Sequence, residues 1–274
     1  MTGSKYVGGP DGLPARVVGP WVERKVYYVN RYASMFATAM RKRWAEIDYV
    51  ELFAGPGFSF GKGGVGFIEG SALQALSAPF GRYIYVDMDP MATGALQQRL
   101  NAVQPGRPWD VITGDCNDVI ADVATLIPRN ALTLAFVDPT GWQVRLDSIE
   151  RLVHDRPVDL LFTFHAGYMR RMWYADAPKL TAFFGTGQWR AVKNASPHQR
   201  VVSLVDLYNQ ALTRFGYLPG SSQHLVSVRN TRGALMYVLV LFSRNALGLE
   251  FWRKTIGGSA SGQLALFPDS STRP

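Results

Sequence analysis

The chain has 274 residues, 47% of them hydrophobic, with a formal net charge of +8 and one cysteine. The lone Cys116 excludes an internal disulfide framework and any cysteine-cluster metal site built from this chain, and no apolar run reaches the ~20 residues of a membrane span. A length at the upper end for one domain, with no apolar leader in MTGSKYVGGPDGLPAR, gives the expectation of a soluble, cytoplasmic protein. The basic balance favours polyanionic partners such as nucleic acid through counterion release.

In chain order, residues 1–20 are rich in Gly and Pro without periodicity and read as a flexible N-terminal arm. From Glu23 to Arg43 the residues Val26, Val29, Tyr32, Phe36 and Met40 recur every three or four positions, with Arg31, Ser34, Thr38 and Arg41 opposite. That spacing predicts an amphipathic helix. Short apolar runs then alternate with helical stretches. IDYVELF reaches Glu51, RYIYVDMDP reaches Asp87, DVITGDC reaches Asp115, LTLAFVDPTG reaches Asp138, and VDLLFTFHAG ends near His165.

Runs that are apolar throughout suit parallel strands covered on both faces. Helices are predicted between them at Ser71–Ser77, Pro90–Val103, Asn117–Ile127 and Leu146–His154, with the Ser71 hydroxyl as a helix cap. Residues of about 166–200 read as a helical insertion, followed by a helix from Arg200 to Phe215. HLVSVRN and ALMYVLVLF, joined by NTRG, form a hairpin. The expected architecture is α/β: a class I methyltransferase-like Rossmann fold over residues 21–256, with a mostly parallel seven-stranded sheet, a C-terminal antiparallel hairpin and helices on both faces. Residues 257–274 read as a flexible tail.

Open parallel sheets bind ligands at the carboxyl ends of their strands, near the point where strand order reverses. Glu51, Phe53, Gly55 and Gly57 fall at the first such end, Asp87 and Met88 at the second, Asp115 and Cys116 at the third. A phosphate-binding loop fails, because Pro56 stands where its first glycine belongs and Gly63 where its hydroxyl belongs. A dinucleotide fingerprint lacks its third glycine, since Phe60 stands there. S-adenosylmethionine needs a bare backbone, an acid for the ribose (Asp87) and an acid for the adenine amine (Asp115), and it fits these residues best. The bland alternative is that the acids only cap helices or end strands. The glycine-rich stretch Phe58–Gly70 reads either as a lid, with Phe58, Phe60 and Phe67 covering a ligand, or as a floppy surface insertion.

The strings YVELFAGPGFS, GSALQAL, FVDPTGWQVRLDSIERL and MYVLVLFSRNALGLEFW resemble the three-Cys-motif partner proteins, a bacterial family with a methyltransferase-like fold. The resemblance runs from about Lys25 to Thr255. It implies cofactor binding at Glu51, Gly55, Gly57, Asp87 and Asp115, with Asp138 at the reaction end, and a partner that carries three clustered cysteines and looks like a radical enzyme. The sequence departs from the family at Thr140, where an aromatic is frequent.

Methyl transfer needs positioning and, for some acceptors, a base. Asp138 is the candidate base, beside Pro139, with Trp142 as a stacking face and His165 as a second acid or base. Arg170 and Arg171, followed by Trp173 and Tyr174, combine charge and aromatics as nucleic-acid surfaces do; a solvated helix face explains them equally. Gln263, Leu264, Leu266 and Phe267 in QLALF resemble a sliding-clamp docking peptide, or else fold back on the domain. The expected function is an S-adenosylmethionine-dependent methyltransferase, with a catalytically reduced nucleic-acid-binding accessory protein and a small-molecule methyltransferase as alternatives.

Overall fold

The computed structural model describes residues 5–165 and 177–257. The chain opens with β1 (Tyr6–Gly8), β2 (Pro14–Val18) and α1 (Val22–Met40), then β3 (Ile47–Leu52), β4 (Phe58–Gly61), β5 (Gly66–Glu69) and α2 (Ser71–Gln74), which tightens into a 3-10 turn at Ala75–Ser77. It continues through β6 (Arg82–Asp87), α3 (Pro90–Val103), β7 (Trp109–Thr113), α4 (Cys116–Leu126), β8 (Leu132–Val137), α5 (Leu146–Val153) and β9 (Val158–Phe164). Beyond residue 176 come α6 (Ala177–Phe184), α7 (Pro197–Thr213), β10 (Val226–Arg229), β11 (Leu235–Phe242) and α8 (Ala246–Gly257).

Seven strands form one sheet in the order β10-β11-β9-β8-β3-β6-β7. All neighbours from β9 to β7 run parallel, while β11 is antiparallel to both β9 and β10. β3 is therefore the switch point: the chain leaves it toward β6 on one side and returns on the other at β8.

The strands read as apolar throughout because both faces are covered. Val50, Leu52, Ile84, Val86 and Val137 pack with Ile120 of α4, Ile149 of α5 and Leu204 of α7. Tyr49, Tyr83, Tyr85 and Phe136 face the other way, onto Tyr32 of α1, Leu96 of α3 and Trp252 of α8. Buried phenols need partners. The Tyr83 hydroxyl donates to Ala78 O (2.6 Å) and that of Tyr85 to Ala72 O (2.8 Å), which fastens the short helical stretch after the glycine-rich region to the sheet.

Two expectations are corrected. Residues 6–18 are not an extended arm: β1 and β2 join β4 and β5 in a second, four-stranded sheet, β1-β2-β4-β5. The stretch Phe58–Gly70 is neither floppy nor a free lid, because β4 and β5 make an antiparallel hairpin and β4 pairs in parallel with β2. Short strands broken by Gly and Pro carry no period-2 signal, so the sequence hid both. The helix α8 is a further element beyond the expected hairpin, and Gly257, expected in the tail, ends it.

Trp252 fastens α8. It is fully buried, packs edge-on against Tyr32 (5.6 Å between ring centroids) and donates its indole N–H to His224 O at 2.7 Å. Trp252→Ala should cost about 3–5 kcal/mol and lower the thermal midpoint by roughly 10 °C. Trp252→Phe, which loses mainly the hydrogen bond, should cost about 1 kcal/mol. Thermal unfolding followed by circular dichroism measures both.

Candidate active site at the strand tips

The turn after β3 is shaped by left-handed backbone. Phe53 (φ 72°), Gly55 (φ 67°) and Gly57 (φ 94°) lie where L side chains rarely go. Phe53 N and Ala54 N both donate to Val86 O (2.8 and 2.9 Å), which bends the turn over the end of β6. The two glycines differ. A Cβ on Gly57 would press on Leu73 and Leu96 at 3.1–3.2 Å, so that glycine serves packing. A Cβ on Gly55 would meet nothing within 4 Å: its open side faces space.

Asp87, which ends β6, is 8% exposed. Its Oδ2 accepts from Gly55 N (2.8 Å) and its Oδ1 from Asp89 N (2.9 Å). Each oxygen keeps a further lone pair, so the carboxylate is held in place and can still accept from a ligand. Met88, next in sequence, is 64% exposed, an apolar side chain standing free beside that acid.

Asp89 caps α3 through Met91 N (3.0 Å) and also accepts from Lys5 Nζ (2.6 Å) and the Tyr6 hydroxyl (2.7 Å). The lysine and tyrosine hydrogen bonds hold its carboxyl down at about 2. The N-terminal strand thus closes one flank of the site.

Asp115 caps α4. Its Oδ1 accepts from Asn117 N and Asn117 Nδ2, both at 2.8 Å, so the capping alternative holds for this residue, and its exposure leaves it open to a ligand as well. Asn117 Nδ2 also donates to Gln143 O (2.7 Å), and its Oδ1 accepts from Arg145 N (2.8 Å) and Ser148 Oγ (2.9 Å). One amide therefore links the tip of β7 to the loop after β8. Cys116 is buried in the sheet core, which pushes its thiol up to about 12. Its side chain presents nothing to a ligand and is no nucleophile at neutral pH.

Glu51 is 1% exposed. The Tyr49 hydroxyl donates to its Oε2 at 2.8 Å and the Ser71 hydroxyl to its Oε1. Ser71 therefore serves Glu51 rather than capping α2, whose N-cap is Gly70. Burial outweighs those hydrogen bonds and raises the Glu51 carboxyl to about 8.

At the β8 tip, Asp138 forms an ion pair with Lys25 Nζ of α1, both side chains being less than one-fifth exposed. Lys25 Nζ lies 5.4 Å above the Tyr237 ring, and the His165 ring lies 5.8 Å from that same ring. Asp138 and His165 are thus brought into one cluster, joined by Lys25 and Tyr237, which the sequence reading missed. The sign was present: Lys25 precedes Val29 by four residues and sits on the apolar stripe of α1, where a charge requires a partner.

Pro139 is buried and Thr140 exposed. Gln143 closes the loop, donating to Thr140 Oγ1 (2.7 Å) and accepting from Gly141 N (2.9 Å). Trp142 is a correction. It is 3% exposed, packed edge-on to Phe183 at 5.1 Å, and belongs to the core rather than to a stacking surface. Arg170, Arg171, Trp173 and Tyr174, like Gln263, Leu264, Leu266 and Phe267, lie outside the described residues. No metal-binding group of His, Cys, Asp or Glu occurs among the described residues.

Strand order, the lone antiparallel β11 and acids at consecutive strand tips define a class I methyltransferase-like Rossmann fold. No protein-family model and no curated protein matches the sequence. Among solved structures the chain is similar to an O-methyltransferase from Bacillus cereus in complex with SAH, at 8% identity over 80% of each chain with a TM-score of 0.49. It is similar to the magnesium protoporphyrin IX methyltransferase from Synechocystis PCC 6803 with bound SAM, at 13% identity over 82% of each chain and a TM-score of 0.43. A putative RNA methyltransferase from Pyrococcus horikoshii is 13% identical, with 81% of this chain and 88% of that one covered and a TM-score of 0.41.

Buried acids give a pH signature. Burial raises Glu51 to about 8, Asp159 to about 7 and Asp48 to about 6. Each binds its proton more tightly folded than unfolded, so the folded state holds more protons between about pH 4.5 and 8, and stability falls as pH rises through that window. Glu51→Gln should remove the uppermost part of the decline, flattening it between about pH 6 and 8. Urea unfolding at a series of pH values reads this directly, and an unchanged slope in the variant counts against it.

Proposed function

We propose that the protein is an S-adenosylmethionine-dependent methyltransferase. One observation carries this: Asp87 is fixed by the Gly55 amide at the switch point, beside a glycine whose outer side is open. In that arrangement Asp87 accepts from the ribose hydroxyls, Gly55 lets the main chain approach the ligand, Met88 lies against the adenine and Asp115 accepts from its amine. The bound cofactor supplies an electrophilic methyl group on a sulfonium.

Asp138 receives the acceptor's proton, or orients its donor, at Oδ1 or Oδ2. Lys25, ion-paired with Asp138, holds that carboxylate in place at the strand tip. His165, across Tyr237, is the second group able to hold a proton there. With net charge +8, nucleic acid is the acceptor class the reading favours.

The Lys25–Asp138 pair also favours a second reading, an accessory protein that binds cofactor and nucleic acid with little transfer. The resemblance to three-Cys-motif partner proteins supplies its partner, a radical-type enzyme carrying three clustered cysteines.

Calorimetry with S-adenosylmethionine at up to millimolar concentration tests the first half; no binding to the wild type removes the proposal. Asp87→Ala should weaken binding about 10- to 100-fold, the cost of lost hydrogen bonds to a charged group. Asp138→Ala should bind as the wild type does yet transfer no labelled methyl group to bulk RNA or DNA. Transfer by the wild type separates the enzyme from the accessory reading.

A further inference from the structure

We propose that Arg99 is a positioning residue for the cofactor, acting through the Pro56 carbonyl on the glycine turn and thence on Asp87; this rests on the function proposed above. Arg99 lies on α3, and its side chain is 3% exposed. A guanidinium taken out of water needs its donors met. Here Nε and Nη2 form a two-pronged pair with Asp11 (both 2.7 Å), Nη2 also donates to Leu13 O (3.2 Å), and Nη1 donates to Pro14 O (2.9 Å) and to Pro56 O. The Phe58 ring lies under the guanidinium at 4.8 Å.

Pro56 stands between the two left-handed glycines. Glycine turns have many accessible conformations, and the bond to Pro56 O, with Gly70 N on Gly57 O at 2.6 Å, selects one of them. In that conformation the Gly55 amide points at Asp87 Oδ2. Arg99 touches no part of the expected ligand, yet it fixes the Pro56–Gly57 peptide, two peptide units on from the Gly55 amide that holds the acid expected to read the ribose. The same side chain binds the β1–β2 connection through Asp11, so it ties the second sheet to the turn.

The test is calorimetry with S-adenosylhomocysteine on folded variants, with thermal midpoints measured alongside. Arg99→Met should weaken binding roughly 10- to 50-fold by leaving Pro56 O unheld. Asp11→Asn keeps the bond to Pro56 and should cost affinity less than about threefold, although it loosens the N-terminal strands. In an Asp87→Asn background, Arg99→Met should change affinity by no more than about twofold, because residues acting in series do not add.

Wild-type affinity in Arg99→Met, an equal loss in Asp11→Asn, or full additivity with Asp87→Asn overturns the proposal. Should Arg99→Met fail to fold, Arg99→Lys decides. With one donor left for Pro56 it should bind with intermediate affinity, and unaltered binding overturns the idea. If the wild type itself binds no S-adenosylhomocysteine or S-adenosylmethionine, the cofactor reading has failed, which is a different result from a wild type that binds and an Arg99 variant that binds equally well.

Discussion

A guanidinium with almost no access to water dictates how three distant stretches of this chain meet. Arg99 draws its acceptors from the connection between β1 and β2, from the start of β2 and from the glycine turn after β3. Leaving any of these donors unmet in a buried setting would cost about 1–3 kcal/mol. Satisfying that one charge ties the second sheet to the turn, alongside the strand pairing that builds it. The carboxyl edge of the main sheet inherits its shape from that arrangement.

The same logic runs along the strand tips. Glu51 is held by Tyr49 and Ser71, Asp87 by two main-chain amides, Asp89 by Lys5 and Tyr6, and Asp138 by Lys25. None of these acids is left to solvent alone. They differ in what remains available: Asp87 and Asp115 keep unused acceptor capacity, whereas Glu51 is enclosed and Asp138 is neutralised by a cation. This division separates residues suited to hold a ligand from residues that set the local charge.

Much of the main sheet was legible because its chemistry is local. Apolar runs followed by acids marked β3, β6, β7 and β8, a run ending near His165 marked β9, and the predicted helix Pro90–Val103 coincides with α3. The four-stranded sheet was not legible, since β2 finds its partner β4 across α1 and β3 and the strands, 5 and 4 residues long, are too short to carry a period-2 signal. Trp142 follows Asp138 and Pro139 closely enough to suggest a stacking face, whereas the loop turns it inward onto Phe183 and Phe184. Lys25 and Arg99 were overlooked for a common reason. Both lie on the apolar stripe of a helix, and counting hydrophobic positions passes over the one charged residue among them.

Pairing β2 with β4 also fixes an order of events. Asp11 and Arg99 are 88 residues apart in the chain, so the segment around Asp11 cannot meet the guanidinium it receives bonds from until α3 has been made. Closing so long a loop is entropically slow. The β1–β2 segment therefore docks late, onto the glycine turn and α3, and the corner beside Asp87 and Asp89 is completed by residues far from it in sequence.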